Sequence, residues 1–350
     1  MTTAWVLDSG GAGRGAWQGG VLHEFMAWAR AHGAWPQVSM GASAGGYAAA
    51  DVATGTERTV MKGWTKWGHP DIVQRHPLAA EVARQWPGSR FRQHLHASLR
   101  YVMGPEEVEA AFDSAAARRL LVFTARVRRR DGRPVGRADL VRLLAMAITR
   151  KLPRALKYLP SRYAIDPVVF ATPLPDELQS EFVRPLTRAN YHAAIEASCT
   201  VPIAMGPPLT PAMLAAGDGR PHPGDRDAVF ADGGYALKMP MAVFADDPRF
   251  RALEGWAAAD RTVVFCCDPK GRLWETSLRL RTIDGHPAVT RALAEGRLLV
   301  IHPDHEVEAG FLCFDPATIM RTFERGRDQG RRLLANARVR AFLAGEALPA

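Results

Sequence analysis

Two short segments carry the residue types best placed to do chemistry: a serine between two glycines and an acid before two glycines. Gly41-Ala42-Ser43-Ala44-Gly45 follows the apolar run Pro36-Gln37-Val38-Ser39-Met40 and precedes Tyr47-Ala48-Ala49-Ala50. That is the strand, sharp turn and helix of a nucleophile elbow. The backbone of such a turn is strained and crowded, so residues without side chains are needed on both flanks, and the hydroxyl stands at the strand tip before a helix N-terminus. An ordinary glycine-lined turn is the alternative. Further along, Val229-Phe230-Ala231-Asp232-Gly233-Gly234 is an apolar strand ending in an acid. Two glycines let that acid approach another loop closely, whereas a turn with a solvated Asp232 is the simpler reading. A serine must give up its proton to attack an ester, so a base has to lie within hydrogen-bond reach.

A third segment suits negative charge. Ala4-Trp5-Val6-Leu7 reads as a buried strand running into Asp8-Ser9-Gly10-Gly11-Ala12-Gly13-Arg14-Gly15. Ala16 to His32 follows as a helix, with Trp17, Val21, Leu22, Phe25 and Trp28 near helical spacing. Such a loop presents several backbone N–H groups to one anion. Gly11-Ala12-Gly13-Arg14-Gly15-Ala16 also fits the dinucleotide fingerprint with alanine in the last place, but that site needs an acid about 20 positions further on for the ribose. Pro36 to Gly45 contains none. No Gly-Lys-Ser/Thr closes the run, so a Walker A loop is excluded. An oxyanion hole fits better.

Among 11 histidines, His286, His302 and His305 follow Asp232, in the order Ser, acid, His of the α/β-hydrolases. His302 and His305 are the candidates for such a triad. In that fold, however, the nucleophile arrives after several strands, and Ser43 follows only the second. His302-Pro303-Asp304-His305-Glu306 also groups possible metal ligands. Pro303 works against a helix that presents both imidazoles on one face, and a solvated turn after the strand Leu298-Leu299-Val300-Ile301 is expected, with no metal.

The order of these motifs resembles the patatin-like phospholipases. The resemblance rests on Gly10 to Gly15 continuing into Ala16-Trp17-Gln18-Gly19-Gly20-Val21-Leu22, on Gly41 to Gly45, and on Asp232-Gly233-Gly234. Ala197-Ser198-Cys199-Thr200-Val201-Pro202, with Pro207-Pro208 soon after, is similar to the segment that precedes the acid in that family. The likeness covers roughly residues 4 to 245. It implies a Ser-Asp dyad with Ser43 as nucleophile and Asp232 as base, and an oxyanion hole from the loop Gly10, Gly11, Ala12 and Gly13. It further implies a lipid ester substrate and no cofactor. Ala12 departs from the family's usual glycine, and its methyl group is expected to narrow the hole or to force a different φ at residue 12, although alanine still provides an N–H.

Strands at Leu120 to Val127, Val168 to Ala171, Val229 to Ala231, Val263 to Cys267 and Leu298 to Ile301 alternate with helical stretches. This predicts an α/β fold, three layers α/β/α around a mainly parallel central sheet. One domain is expected over residues 1–350, the catalytic region within about 4–245 and its continuation over 246–350. Pro207 to Pro223 reads as long loop, and Asp315 to Gly345 as a closing helix.

The 47% hydrophobic and 23% charged content is that of a globular enzyme, and the net charge is +9. Residues 137 to 159 combine Arg137, Arg142, Arg150, Lys151, Arg154 and Lys157 with many leucines, broken by Pro153. Such a stretch suits peripheral contact with an anionic membrane surface, apolar face inward, or else an amphipathic helix packed on the sheet. No nucleic-acid motif appears, and Arg128-Arg129-Arg130-Asp131-Gly132 reads as a hairpin turn. Four cysteines, two of them adjacent in an apparent strand, look like reduced core residues. The N-terminus lacks the pattern of a signal peptide, and a cytoplasmic protein is expected.

Overall fold

Strand β1, Thr3–Leu7, sends Trp5 and Leu7 into one apolar cluster and Ala4 and Val6 into another, and all four are buried. A strand buried on both faces belongs in the middle of a covered sheet. In the computed structural model β1 indeed pairs in parallel on both edges, with β2 (Val38–Ala42) and β7 (Arg261–Phe265). The structure describes residues 1–350 except 68–89, 114–117, 149–161, 216–219, 243–246, 277–280, 311–312, 314 and 347–350.

The remaining strands are β3 (Arg119–Arg129), β4 (Tyr163–Thr172), β5 (Val183–Pro185), β6 (Val229–Ala231) and β8 (Leu298–Ile301). Their order in one eight-stranded sheet is β5-β4-β3-β2-β1-β7-β8, with β6 paired to β3. Pairing is parallel except for β3 with β4 and β3 with β6. The expected α/β architecture with a mostly parallel central sheet is therefore present. β5 was not expected; three residues are too few to show a pattern of alternation.

The junction at β3 positions the site. One edge of β3 is taken along its length by β4, from Leu120↔Thr172 to Arg129↔Tyr163. The other edge is shared. Parallel β2 covers Arg119 to Phe123 and ends with Ala42 opposite Phe123, while antiparallel β6 covers Ala125 to Val127 and ends with Ala231 opposite Ala125. The two strands thus run toward each other, and their last residues face β3 positions about 7 Å apart. Ser43 and Asp232 are the next residues of the two strands.

Helices α1 (Gly11–His32), α2 (Ala44–Thr54), α3 (Glu57–Trp67), α4 (Arg90–Val102), α5 (Pro105–Phe112), α6 (Arg137–Ile148) and α7 (Tyr191–Cys199) precede β6. After it come α8 (Leu253–Trp256), α9 (Pro287–Ala294), α10 (Pro316–Ala335) and α11 (Ala337–Ala344). Trp5, Phe25 and Phe265 meet edge to face at centroid separations of 5.5 to 6.4 Å and lock α1 onto β1 and β7. Trp17 Nε1 donates to Gln329 Oε1 over 2.9 Å and ties α1 to α10. The segment after residue 245 thus completes the sheet and clasps the glycine-loop helix.

Several expectations are corrected. The first helix begins at Gly11 rather than Ala16, because the glycine loop is itself the first helical turn. The closing helix breaks at Asn336, whose extended backbone ends α10 and whose side chain caps α11 through Arg338 N–H. Arg130 and Asp131 do form a turn, but the chain then enters α6 and returns as β4 only at Tyr163, so the short hairpin is replaced by a long one. In α6 the leucines Leu140, Leu143 and Leu144 are buried in the core rather than offered to a membrane. Residues 149 to 159 of that basic stretch lie outside the described residues.

Candidate active site

Ser43 adopts φ 58° and ψ −132°, a conformation that a residue with a Cβ rarely takes, at the turn from β2 into α2. The flanking glycines are required by space. A Cβ on Gly41 would stand 2.1 Å from the Gly45 carbonyl oxygen, and one on Gly45 would stand 2.1 Å from that of Leu7. The Ser43 carbonyl opens α2 by accepting from Gly46 and Tyr47 N–H at 2.8 and 3.1 Å.

The serine hydroxyl donates to Asp232 Oδ2 over 2.5 Å, with both residues buried at 3% and 1% exposure. Asp232 Oδ1 accepts from Gly234 N–H at 2.8 Å, and the Asp232 N–H donates to the Thr200 carbonyl at 2.8 Å. Burial pushes the Asp232 carboxyl up to about 7, against the opposite pull of its hydrogen bonds from Ser43 and Gly234. A carboxylate of that basicity can take a proton near neutral pH, which an exposed aspartate does poorly.

The segment Ala197 to Thr200, which the sequence marked only as resembling the stretch before the acid, has a structural part. Ser198 Oγ accepts from Ser43 N–H at 2.9 Å and donates to the Phe123 carbonyl at 2.7 Å, and Cys199 Sγ reaches the Ser43 carbonyl at 3.2 Å. Together with Thr200 and Asp232, the end of α7 therefore holds the elbow and the acid at once. Farther back along β6, Phe230 bridges to Leu209. Asp225, before β6, is bound by both buried arginines Arg126 and Arg184, which fixes the approach of the acid's strand against β3 and β5.

The loop Gly10 to Gly13 forms the N-terminal end of α1, with Gly10 at the N-cap. The first N–H groups of a helix have no intrahelical acceptor, and in α1 these are the N–H groups of Gly11, Ala12 and Gly13. Only the backbone of Ala12 is described. The loop is bracketed against the elbow on both sides: a Cβ on Gly15 would lie 2.9 Å from Ala44 Cβ, and one on Gly45 2.7 Å from the Asp8 carbonyl oxygen. The N-termini of α1 and α2 converge there.

At the base of the loop, Asp8 is fully buried, and Lys238 Nζ stands 2.7 Å from both of its carboxylate oxygens. Asp8 Oδ2 also accepts from Cys267 N–H at 2.8 Å. The sequence reading passed over both residues: an acid and a lysine 230 positions apart carry no pattern that joins them.

The histidines lie elsewhere. His302 packs by Gly271 and bonds to the Pro303 carbonyl, His305 pairs with Asp304 at 2.6 Å, and His286 caps α9. Among the described residues, no histidine hydrogen-bonds to Ser43 or Asp232. Nor do the described residues hold a group of three or more His, Cys, Asp or Glu side chains arranged for a metal ion. No helix among them is long and apolar enough to cross a membrane.

A family model described as patatin-like phospholipase matches residues 6–245, a span that contains the glycine loop, the elbow and the acid. Comparison with curated proteins finds no match.

Proposed function

This chain belongs to the patatin-like phospholipase family, and we propose that it hydrolyses lipid esters through a covalent acyl-Ser43 intermediate with Asp232 as general base. The observation that carries this reading is the 2.5 Å hydrogen bond from a buried, backbone-strained serine to a buried carboxylate. Asp232 Oδ2 takes the Oγ proton as Oγ bonds to the carbonyl carbon, and the carbonyl electron pair moves onto oxygen. The N–H groups at the start of α1 stabilise that oxyanion. Donors held ready in this way are worth about 3–4 kcal/mol each. When the tetrahedral species collapses, the C–O bond breaks and the leaving alcohol takes the proton from Asp232. Water then repeats the sequence: it gives its proton to Asp232, attacks the acyl carbon, and releases the free acid as Oγ recovers the proton.

Four free cysteines support a reducing, cytoplasmic setting. The exposed side of α6, where Arg137, Val141 and Arg142 lie, supports electrostatic contact with anionic lipid. The test of the reaction is labelling by a fluorophosphonate together with p-nitrophenyl ester turnover. Wild type is expected to label and turn over, Ser43→Ala to do neither, and Asp232→Asn to lose turnover. A wild type that binds fatty acid but neither labels nor turns over would replace the enzyme with a lipid-binding protein of the same fold.

A further inference from the structure

We propose that the buried ion pair of Asp8 and Lys238 is a positioning device that sets the oxyanion loop against the dyad. The inference rests on the hydrolase reading above and adds two residues to it.

Asp8 lies where the segments of the site meet. Its own chain enters the oxyanion loop two residues later, at Gly10. Its carbonyl oxygen stands against Gly45 of the elbow, and it accepts from the buried Gln18 side chain of α1. Its N–H donates to the Phe265 carbonyl at the end of β7, and its carboxylate takes Cys267 N–H just beyond. The remaining bond goes to Lys238, six residues after Asp232.

Lys238 is coupled to the acid by consecutive turns. Tyr235 N–H donates to the Asp232 carbonyl, and Ala236 and Leu237 N–H donate to that of Gly233. Lys238 N–H itself is held by the Glu275 carbonyl at 2.6 Å. A shift of the ammonium is therefore passed along a hydrogen-bonded loop to Asp232, and a shift of the carboxylate is passed to Gly10. The pair spans the distance between the two halves of the site.

Its role is geometric. The causes acting on the Asp232 carboxyl are burial and its bonds to Ser43 and Gly234, with no contribution from Asp8 or Lys238. Stability does not explain the pair either, since an apolar pair of similar volume usually serves a core as well as a buried ion pair does. What apolar side chains lack is a fixed separation and direction.

The experiment compares wild type with Lys238→Met, Asp8→Asn and the double variant Asp8→Leu/Lys238→Met. Melting temperature, kcat, KM and the pH profile on a short p-nitrophenyl ester are measured, with crystal structures of wild type and the double variant. Either single variant leaves one buried polar group unpartnered and is expected to melt lower. The double variant removes both buried charges and leaves only the Cys267 N–H without its acceptor, so it is expected to melt above either single variant, yet to lose about tenfold to a hundredfold in kcat, as misplacement of reacting groups does. Its KM and the acid limb of its profile should stay in place, and its structure should show the Ser43 to Asp232 bond lengthened or Gly10 to Gly13 displaced. A double variant that keeps wild-type kcat, or keeps the dyad and loop in register, overturns the proposal. If wild type itself turns over no ester, the hydrolase reading fails separately, and the crystallographic comparison still decides whether the pair sets the geometry.

Discussion

Replacing Asp232 by asparagine should abolish turnover while making the protein more stable at neutral and alkaline pH. The carboxyl is raised from 3.8 to about 7, chiefly by burial. The sign follows from proton linkage. Below 3.8 the acid is protonated in both the folded and unfolded states and costs nothing. Between 3.8 and about 7 the unfolded chain ionises while the folded one resists, so stability falls as pH rises, and above about 7 the loss is complete. Each pH unit of that gap is worth about 1.4 kcal/mol, which puts the full cost at about 4 kcal/mol. Asparagine keeps an oxygen for Gly234 N–H and carries no charge, so it escapes the cost. Urea unfolding of both proteins from pH 4.5 to 9 is the assay, and the difference between them is the quantity to read. Asp51, whose buried carboxyl is also raised, is common to both and cancels. The variant's advantage should grow from about 1 to about 4 kcal/mol across that range, and wild-type kcat/KM should fall about tenfold per pH unit below 7. A stability difference that stays flat with pH would refute the account of the base.

Two other perturbations test the geometry and the surface. Gly33→Ala and Gly45→Ala separate backbone strain from collision: Gly33 ends α1 at φ 64° with nothing within 4 Å of its missing Cβ, whereas Gly45 faces the Leu7 carbonyl. Denaturant unfolding should give a loss of about 1 kcal/mol for the first, and about 3 kcal/mol or more for the second, with activity abolished. Vesicles of phosphatidylglycerol should bring the protein down in co-sedimentation more than phosphatidylcholine vesicles do. Arg137→Glu/Arg142→Glu and about 0.5 M salt should each remove the preference, because exposed charges are screened at that ionic strength.

The glycine loop, the serine and the acid were legible in the sequence because each sits at a strand end, where composition changes abruptly from apolar to glycine. The strands themselves were legible for the same reason, as in Val229 to Ala231 and Leu298 to Ile301, whose observed bounds agree with the sequence reading. What stayed hidden depends on pairing across the chain. Nothing in Val229-Phe230-Ala231 says that it runs antiparallel on the edge of β3 that β2 leaves free. Asp8 reads as a loop residue until Lys238 is brought to it. The leucines of α6 fit a membrane face and a core face equally well by spacing, and only the packed structure turns Leu140, Leu143 and Leu144 inward.

In the proposed reaction, transfer of a proton from Ser43 to Asp232 leaves the charge of the pocket unchanged and moves its location, so burial would serve catalysis. Before the step the negative charge sits on a carboxylate supported by the Ser43 hydroxyl and one backbone N–H, that of Gly234. After it the charge sits on the substrate oxygen before the N-terminus of α1, whose first N–H groups have no intrahelical acceptor. In a site closed to water, charge is poorly supported at the first place and well supported at the second, so the difference favours the transition state over the ground state. A solvated aspartate would lose this advantage, because water would stabilise the starting charge as well as the N–H groups stabilise the final one. On this reading the desolvation that costs stability at Asp232 is inseparable from its use as a base, and Ser43 Oγ stands between the two charge positions, hydrogen-bonded to the first and joined through the carbonyl carbon to the second.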